Sequence, residues 1–382
     1  MSESKNIALV LGARSEMIKL APLIHELKRH AWVIHTGQYY AAELTHQFHP
    51  QSELGEPDTI LEDTTGQSRG TQIATTIQAL TKEFMATRPN VVVVQGDTDA
   101  ASAGAQAANY LSIPVVHLEA GLRSHDRAMA EEINRLVAGA MADIHCAATA
   151  HNAELLVMEG VSPAHIMVTG NTSVEQTLKA LKNHAMDVDG FFNGHVPERF
   201  VLATVDRPEN TNTAEALIRV LAGLSRIDVP VLFLAHPHTR RAIEHFGLGT
   251  LLNGLTVAEP ATRQEFLALA RRAELLVSDS GELQEQCTAI GKPLLAIRRS
   301  TERPESIDAG FTQLITPEMD IAIAANLILA NPSTYGRLDQ RPSPYGDTQT
   351  GKRIAAICHA LADGADPDEA IQIAQNQTIA FY

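Results

Sequence analysis

VVVVQGDTDAASAGAQAANYLSIPVVHLEAGLRSHDRAMAEEINRLVAGAMAD, residues 91–143, is the stretch on which the fold turns. Two short apolar runs, residues 91–94 and 113–117, each lead to a carboxylate: Asp97 after the first and Glu119 after the second. The Ala-rich residues 100–110 between them are long enough for a crossover helix. Apolar run, helix and apolar run of these lengths predict a βαβ unit with parallel neighbouring strands. Open parallel sheets take ligands outside the carboxyl ends of their strands, so Asp97 and Glu119 are both expected at the crevice. Glu131 and Glu132 follow at once, in AEEINR, where they open the next helix. Three acidic positions converging on one cleft suit general acid–base chemistry, in which one group takes a proton and another gives one. Taken singly, each is more often an acid kept there by solvent and by the helix dipole.

Outward from this unit the same alternation continues. Residues 6–11 read as a strand, and Leu20, Leu23, Ile24 and Leu27 recur at helical spacing, which predicts a helix from about Ser15. Gly12 permits close backbone approach at the turn. Arg14 and Lys19 stand at the N-terminus of that helix, where backbone N–H groups also point outward; this is either an anion-binding arrangement or a pair of solvated cations. Residues 31–36 read as a strand, 41–48 as a short helix, 52–70 as a surface loop and 71–87 as a helix. Beyond residue 143, residues 144–148 and 166–169 read as strands. Residues 178–198, with Asp187, Asp189, Gly190, Gly194 and Pro197, lose the rhythm and mark a domain crossover. A second series of strands follows at 200–205, 231–235, 255–257, 275–278 and 293–297. No short repeat or low-complexity tract interrupts the two α/β halves. Two such halves facing each other leave a cleft, a common place for a nucleotide-linked ligand.

Size and composition narrow the function. At 382 residues the length predicts two or three domains, each with a sizeable core. Hydrophobic residues make up 45% and charged residues 20%, ordinary for a soluble globular protein. Against 45 Asp and Glu there are 30 Lys and Arg, a net charge of −15, which argues against a general nucleic-acid or anionic-membrane surface. An anionic small molecule remains open, because a few placed cations and helix N-termini bind phosphate. Cys146, Cys287 and Cys358 are an odd, scattered set without a CxxC; they fit a reducing cytoplasm and neither a disulfide framework nor a structural zinc site. The polar N-terminus and the lack of a membrane-length apolar run predict neither signal peptide nor transmembrane segment, hence a cytoplasmic protein.

The second half carries its own candidates. SDSGELQEQ, residues 278–286, places a small-residue turn between a strand and a helix, so that N–H groups at Ser280, Gly281 and Glu282 can hold phosphate oxygens. HPHTR, residues 236–240, brings His236 to a strand end, and TERPE, residues 301–305, offers Arg303. A lone His or Arg in a loop is more often structural. The weight comes from all these strand ends sharing one rim.

GARSEMIKLAPL, TGQ, QGDTDA, HLEAGLRS, EEINR, TGNT, RPEN, SDSG, TERPE and YGD occur in one order with consistent spacing. Together they resemble the UDP-N-acetylglucosamine 2-epimerase family, nearly end to end, from about Ile7 to Ile354. The resemblance implies an α/β chain of two Rossmann-like domains facing across a cleft, of the glycosyltransferase-B type. Residues 1–175 form the first domain, 176–362 the nucleotide-binding second, and 363–382 a C-terminal helix returning to the first. It also implies a homodimer, a UDP-sugar substrate, and no metal, nicotinamide or flavin cofactor. The implied reaction inverts C2 of UDP-GlcNAc to give UDP-ManNAc by eliminating UDP to a 2-acetamidoglucal and adding it back from the other face. Asp97, Glu119 and Glu131 match the family's acid–base carboxylates, with the identity of the base left open. Arg14, Lys19 and Arg135 match active-site cations. Ser280, Gly281 and Arg303 match UDP-binding positions, and Phe266 matches the aromatic beside the uracil.

The sequence departs from the family pattern mainly on the nucleotide side. Ala13 and Ser15 stand where Thr and Pro are usual. The HRxEN motif reads Asp206-Arg207-Pro208-Glu209-Asn210, so a His beside the diphosphate has become Asp206 next to Arg207. The SGG turn reads Ser280-Gly281-Glu282, the ribose-contacting acid reads Gln286, and Tyr39 replaces a His of the segment used for allosteric activation. Asp206 next to a diphosphate needs a neutralising cation such as Arg207, must turn away, or faces a ligand that is not a UDP diphosphate there. On that ground UDP is expected to bind more weakly than in a typical member. Other readings follow from the departures: a hydrolysing relative that releases free ManNAc and UDP, an epimerase acting on another nucleotide sugar, and a catalytically silent nucleotide-sugar binding protein.

Overall fold

The computed structural model describes residues 5–12, 14–37, 56–61, 67–183 and 197–379. The expected short helix at 41–48 lies outside them. The chain forms two compact units, Met1–Gln176 with Gly346–Tyr382, and Thr177–Tyr345. The sequence reading carried the second domain to residue 362. The chain instead returns to the first unit at Gly346, because the helix Thr350–Ala362 buries Ile354, Ile357, Cys358 and Leu361 in the same core as Leu20 and Leu23 of the helix Arg14–Leu27. The helix Pro367–Ile379 adds Ile371 and Ala374 to that core.

The first unit holds a parallel sheet built from β1 (Ile7–Leu11), β2 (Ala31–His35), β3 (Thr59–Ile60), β4 (Val91–Gln95), β5 (Val115–Ala120), β6 (Ile144–Ala147) and β7 (Ile166–Val168). Their order is β3-β2-β1-β4-β5-β6-β7. The four valines that open β4 are fully buried, and strand alternation sends Val91 and Val93 to one core and Val92 and Val94 to the other. A strand sandwiched on both faces has no polar side, and this is why it reads as a continuous apolar run. The helix Asp99–Asn109 closes the second face with alanines, whose small size lets it lie close to the sheet. β3 falls within the expected loop at 52–70; it is a two-residue edge strand, too short to leave a pattern in the sequence.

The second unit repeats the plan with β8 (Val201–Thr204), β9 (Val231–Leu234), β10 (Thr256–Ala258), β11 (Leu275–Ser278), β12 (Leu294–Ile297) and β13 (Thr312–Ile315) in the order β10-β9-β8-β11-β12-β13. All pairings are again parallel. β13 was absent from the sequence reading. In each sheet the chain winds outward in one direction, returns to the starting strand and winds the other way. The reversal lies between β1 and β4 in the first sheet and between β8 and β11 in the second. Ligands of doubly wound sheets sit outside the strand ends at that reversal, so the loops after these four strands are where a site belongs. Among the described residues no helix is long and apolar enough to cross a membrane.

Candidate active site

At the reversal in the first unit, Asp97 follows β4 directly after Gly96, whose φ of 67° lies in the left-handed region open to glycine. Glu119 was expected after its strand. It lies instead within β5, at a register shift between Leu118 and Ala120 and with its own φ at 56°. A non-glycine residue held there signals a local constraint. A bulge of this kind re-aims a side chain, and here the carboxylate comes up beside Gly96, where an added Cβ would be 3.3 Å from Glu119 Oε2.

Glu119 is buried, and its two oxygens have different partners. Lys19 Nζ donates to Oε2 at 2.9 Å, and Asn171 Nδ2 to Oε1 at 3.1 Å. Asn171 is itself fixed, because its Oδ1 accepts the N–H of Ser173 at 2.7 Å and of Val174 at 3.2 Å. Asp97 is more open and pairs with Arg135 Nη2. Arg135 is 2% exposed and also reaches Glu132 Oε2 at 3.4 Å. Asn134 Nδ2 holds the Asp97 backbone carbonyl at 2.9 Å. A second buried carboxylate, Glu16, caps the first helix by accepting the Gly12 N–H at 2.8 Å and the Thr98 hydroxyl at 2.7 Å, thereby tying the loops after β1 and β4 together.

The adjacent glutamates of the EEINR segment part company. Glu131 is exposed in the first turn of the helix Ala130–Met141 and makes no hydrogen bond or ion pair among the described residues. Glu132 is buried and accepts from the Ser124 N–H, the Ser124 hydroxyl and the His125 N–H. Burial alone would raise the Glu132 pKa, but these donors and Arg135 outweigh it and hold it below its ordinary value. His117 is buried under the same loops with one ring nitrogen 2.9 Å from the Gly96 carbonyl, and burial lowers its pKa to about 4. It is therefore neutral and structural. Arg123 of HLEAGLRS points to a bidentate pair with Glu159 at 2.6 and 2.7 Å. The side chain of Arg14, and Tyr39, lie outside the described residues.

At the reversal in the second unit, Asp206 follows β8 and Ser280 follows β11. Between them Asp279 is buried, and its carboxylate accepts the N–H of Asp206 at 3.1 Å, the N–H of Arg207 at 2.9 Å and Asn210 Nδ2 at 2.9 Å. Burial raises the Asp279 pKa in spite of these donors. Ser280 caps the helix Gly281–Ile290 by accepting the Leu283 N–H at 3.4 Å. Gly281 is required by packing, since a Cβ there would be 2.7 Å from Arg303 Nη1 and 3.0 Å from Arg298 Nη1. Two guanidinium groups thus lie against the positive end of a helix. Arg303 pairs with Glu285 and Glu302, and Arg298 Nη2 donates to Glu302 at 2.7 Å, all four side chains being buried. Burial lowers the Arg298 pKa, and its Nε and Nη1 make no hydrogen bond among the described residues.

Glu282 and Gln286 are linked, Gln286 Nε2 donating to Glu282 Oε1 at 2.7 Å. Phe266 is half-buried and packs on the second unit's core from the helix Arg263–Arg272. Asp206 does not stand alone. His236 Nδ1 is 2.9 Å and His238 Nδ1 3.3 Å from its Oδ1, and Thr239 Oγ is 3.2 Å from the same oxygen. A pair of imidazoles thus faces the Asp206 carboxylate, where Arg207 was the expected partner.

Sequence reasoning named Asp97, Glu119, Lys19 and Arg135, which the fold gathers in one unit, and Ser280, Gly281, Arg303, Asp206 and His236, which it gathers in the other. It named Glu132 only as opening a helix beside Glu131, and it overlooked Glu16, Asn171, Asp279, Arg298 and His238, of which all but Arg298 lie in quoted motifs. Among the described residues no group of three or more His, Cys, Asp or Glu side chains is arranged to hold a metal ion.

A family model described as UDP-N-acetylglucosamine 2-epimerase matches residues 25–359. The UDP-N-acetylglucosamine 2-epimerase of Methanocaldococcus jannaschii is 34% identical over 364 residues, covering 92% of this chain and 98% of that one. That of Bacillus subtilis is 32% identical, with 91% and 93% covered. Among solved structures, the M. jannaschii UDP-GlcNAc 2-epimerase in complex with UDP-GlcNAc and UDP has a TM-score of 0.79 at 33% identity, covering 92% of this chain and 99% of its own. The Neisseria meningitidis UDP-GlcNAc 2-epimerase bound to UDP-GlcNAc has a TM-score of 0.81 at 28% identity, covering 91% and 98%. Acinetobacter baumannii MurG, at 12% identity and a TM-score of 0.57, shares the fold alone. Two doubly wound parallel sheets with these neighbours make the architecture GT-B-like.

Proposed function

Because this chain belongs to the UDP-N-acetylglucosamine 2-epimerase family, we propose that it is a nucleotide-sugar isomerase that inverts C2 of UDP-GlcNAc to give UDP-ManNAc. The observation that carries the reading is the pair of carboxylates at the reversal between β1 and β4. Asp97 follows β4 and Glu119 lies at the bulge of the neighbouring β5, one partly open and held by Arg135, the other buried between Lys19 and Asn171. Two carboxylates in unlike surroundings are what a reaction needing both a base and an acid requires.

A proton leaves C2 to a carboxylate while the C1–O bond breaks and UDP departs, giving the 2-acetamidoglucal. A proton then returns to C2 on the opposite face as UDP adds back to C1. Every step is a proton transfer or the making or breaking of one C–O bond, with no net oxidation. Asp97, Glu119 and Glu131 are the candidates for the transfers. Glu131 differs from the other two in being exposed and unpaired among the described residues, as suits a group that engages only when substrate is present. On the other unit, the first turn of the helix Gly281–Ile290 and Arg303 would receive the diphosphate. We further propose a cytoplasmic homodimer.

Proton NMR of the purified protein with UDP-GlcNAc in D2O tests the reading. UDP-ManNAc carrying deuterium at C2 is the expected product. Free ManNAc with UDP would instead identify a hydrolysing enzyme built on the same site. Absence of both product formation and C2 exchange would refute the proposal.

A further inference from the structure

We propose that His238 and Asp206 form a proton-donating dyad for the departing diphosphate, with His238 as the donor and Asp206 as its positioning residue. The proposal rests on the epimerase reading for its reaction and on the second unit alone for its geometry. Asp206 follows β8 and His238 lies in the first turn of the helix Pro237–His245 after β9, so both stand at carboxyl ends of adjacent strands. An ionised carboxylate only accepts hydrogen bonds, so the 3.3 Å contact between His238 Nδ1 and Asp206 Oδ1 fixes the tautomer with the proton on Nδ1. That leaves Nε2 as the nitrogen that gains and loses a proton. It makes no hydrogen bond among the described residues, and the side chain is 43% exposed, so a ligand can reach it.

His236 also faces this carboxylate: its Nδ1 lies 2.9 Å from the same Asp206 Oδ1 and 3.4 Å from the His238 N–H, so it supports Asp206 from the cap of the same helix. The dyad is anchored to the phosphate-binding turn through Asp279, which holds the Asp206 N–H and is followed directly by Ser280. Thr239 Oγ, 3.2 Å from Asp206 Oδ1 and 2.6 Å from the Val205 carbonyl, fixes the carboxylate from the helix side. The other charged groups around it are Arg207 on the β8 loop and Asp279 before Ser280, together with Arg240, which is occupied by Glu259 at 2.6 Å.

The chemistry balances. As the C1–O bond breaks, its electron pair goes to the β-phosphate oxygen, and the imidazolium Nε2–H passes its proton to that diphosphate. On re-addition the oxygen attacks C1 and the proton returns to Nε2. With the dyad protonated, imidazolium and carboxylate cancel, so Asp206 no longer repels the ligand. A dyad that is neutral overall only when protonated has its protonated form favoured by a bound anion.

Titration calorimetry with UDP at pH 7.5, in buffers of different ionisation enthalpy, reads that proton directly. The native protein should take up a measurable fraction of a proton per UDP. His238→Gln should take up close to none, and Asp206→Asn less than the native protein. On UDP-GlcNAc, His238→Gln should lower kcat about 100-fold, with the pH dependence of kcat flattened, the usual loss for one acid–base group. Equal proton uptake by the native protein and His238→Gln would overturn the dyad, as would an unchanged kcat and pH profile in His238→Gln. Because uptake is measured with UDP alone, it stands or falls separately from epimerisation by the native protein. Asp206→Asn, which keeps both histidines, guards against a folding defect in the His238 variant.

Discussion

Replacing Lys19 with methionine removes the ammonium from Glu119 while leaving most of the aliphatic stem, and the consequence can be worked from the geometry. The pair is 2.9 Å apart, with side-chain exposures of 13% and 4%. At an effective dielectric of ~20 the direct attraction is about 6 kcal/mol, most of which offsets the desolvation of the two charges. What a single substitution reads is the burden of the charge left behind, about 3 kcal/mol or more for a buried pair. Glu119→Gln should cost about 2 kcal/mol, because the Asn171 hydrogen bond can persist to an amide oxygen. The double substitution removes both charges at once, so its loss should fall short of the sum by about 2 kcal/mol. The sign with pH is also fixed. Lys19 favours the ionised form of Glu119, so removing it costs more as that carboxyl ionises, and the Lys19→Met deficit grows from pH 5 to pH 8. Urea unfolding followed by Trp32 fluorescence measures this in the right place, since Trp32 is the chain's single tryptophan and is buried in the first unit. Additive losses within about 0.5 kcal/mol, or a deficit equal at both pH values, would refute the reasoning.

Asp97→Asn, Glu119→Gln and Glu131→Gln should each lower turnover of UDP-GlcNAc by roughly two to four orders of magnitude by NMR, and near-normal turnover in all three would remove the assigned site. Acid should destabilise the first unit, because the unfolded His117 takes a proton near its ordinary value of 6.5 and the folded one only near 4. Its contribution is complete above pH 6.5 and falls by about 3 kcal/mol as pH drops through 4. His117→Gln should flatten that slope in urea midpoints measured at pH 7 and pH 5. Gly281→Ala should cost about 1–3 kcal/mol by crowding Arg303 and Arg298, and should weaken UDP in calorimetry; an affinity equal to the native protein's would argue against diphosphate binding at this turn.

Legibility in the sequence followed the physics of each element. β4 was readable because a strand covered on both faces shows four buried valines in a row, and its neighbour β5 followed from the spacing of the crossover helix. β13 was not readable: it is an edge strand in which Gln313 and Leu314 are only half-buried, so neither alternation nor a continuous apolar run marks it. The return of the chain at Gly346 was placed late for a related reason. The helix Thr350–Ala362 is amphipathic in any surroundings, and its sequence does not state which core its apolar face completes.

The site divides along the same line. That ionisable groups collect at strand ends is a property of the topology, and the carboxylates at Asp97 and Glu119 could be found from it. Which group meets which is settled by tertiary adjacency. Two neighbouring glutamates in one helical turn point about 100° apart, and only packing decides that Glu132 is the one turned inward onto the Ser124 and His125 amides while Glu131 faces solvent. In the same way Arg298 and Glu302 carry no mark of burial in the sequence, yet both are buried as partners, with Arg303, against the first turn of the helix Gly281–Ile290. Asp206 is the sharpest case. By its residue type it adds a negative charge where a diphosphate is expected, and the sequence offers Arg207 beside it as the obvious counterion. The fold instead spends the Arg207 backbone N–H on Asp279 and gives Asp206 two imidazoles from the next strand end. UDP gains negative charge on C1–O cleavage, so a permanent cation there would hold the cleaved diphosphate more tightly than the sugar-linked one. The imidazole of the proposed dyad would instead give up its proton to the diphosphate, and its charge with it.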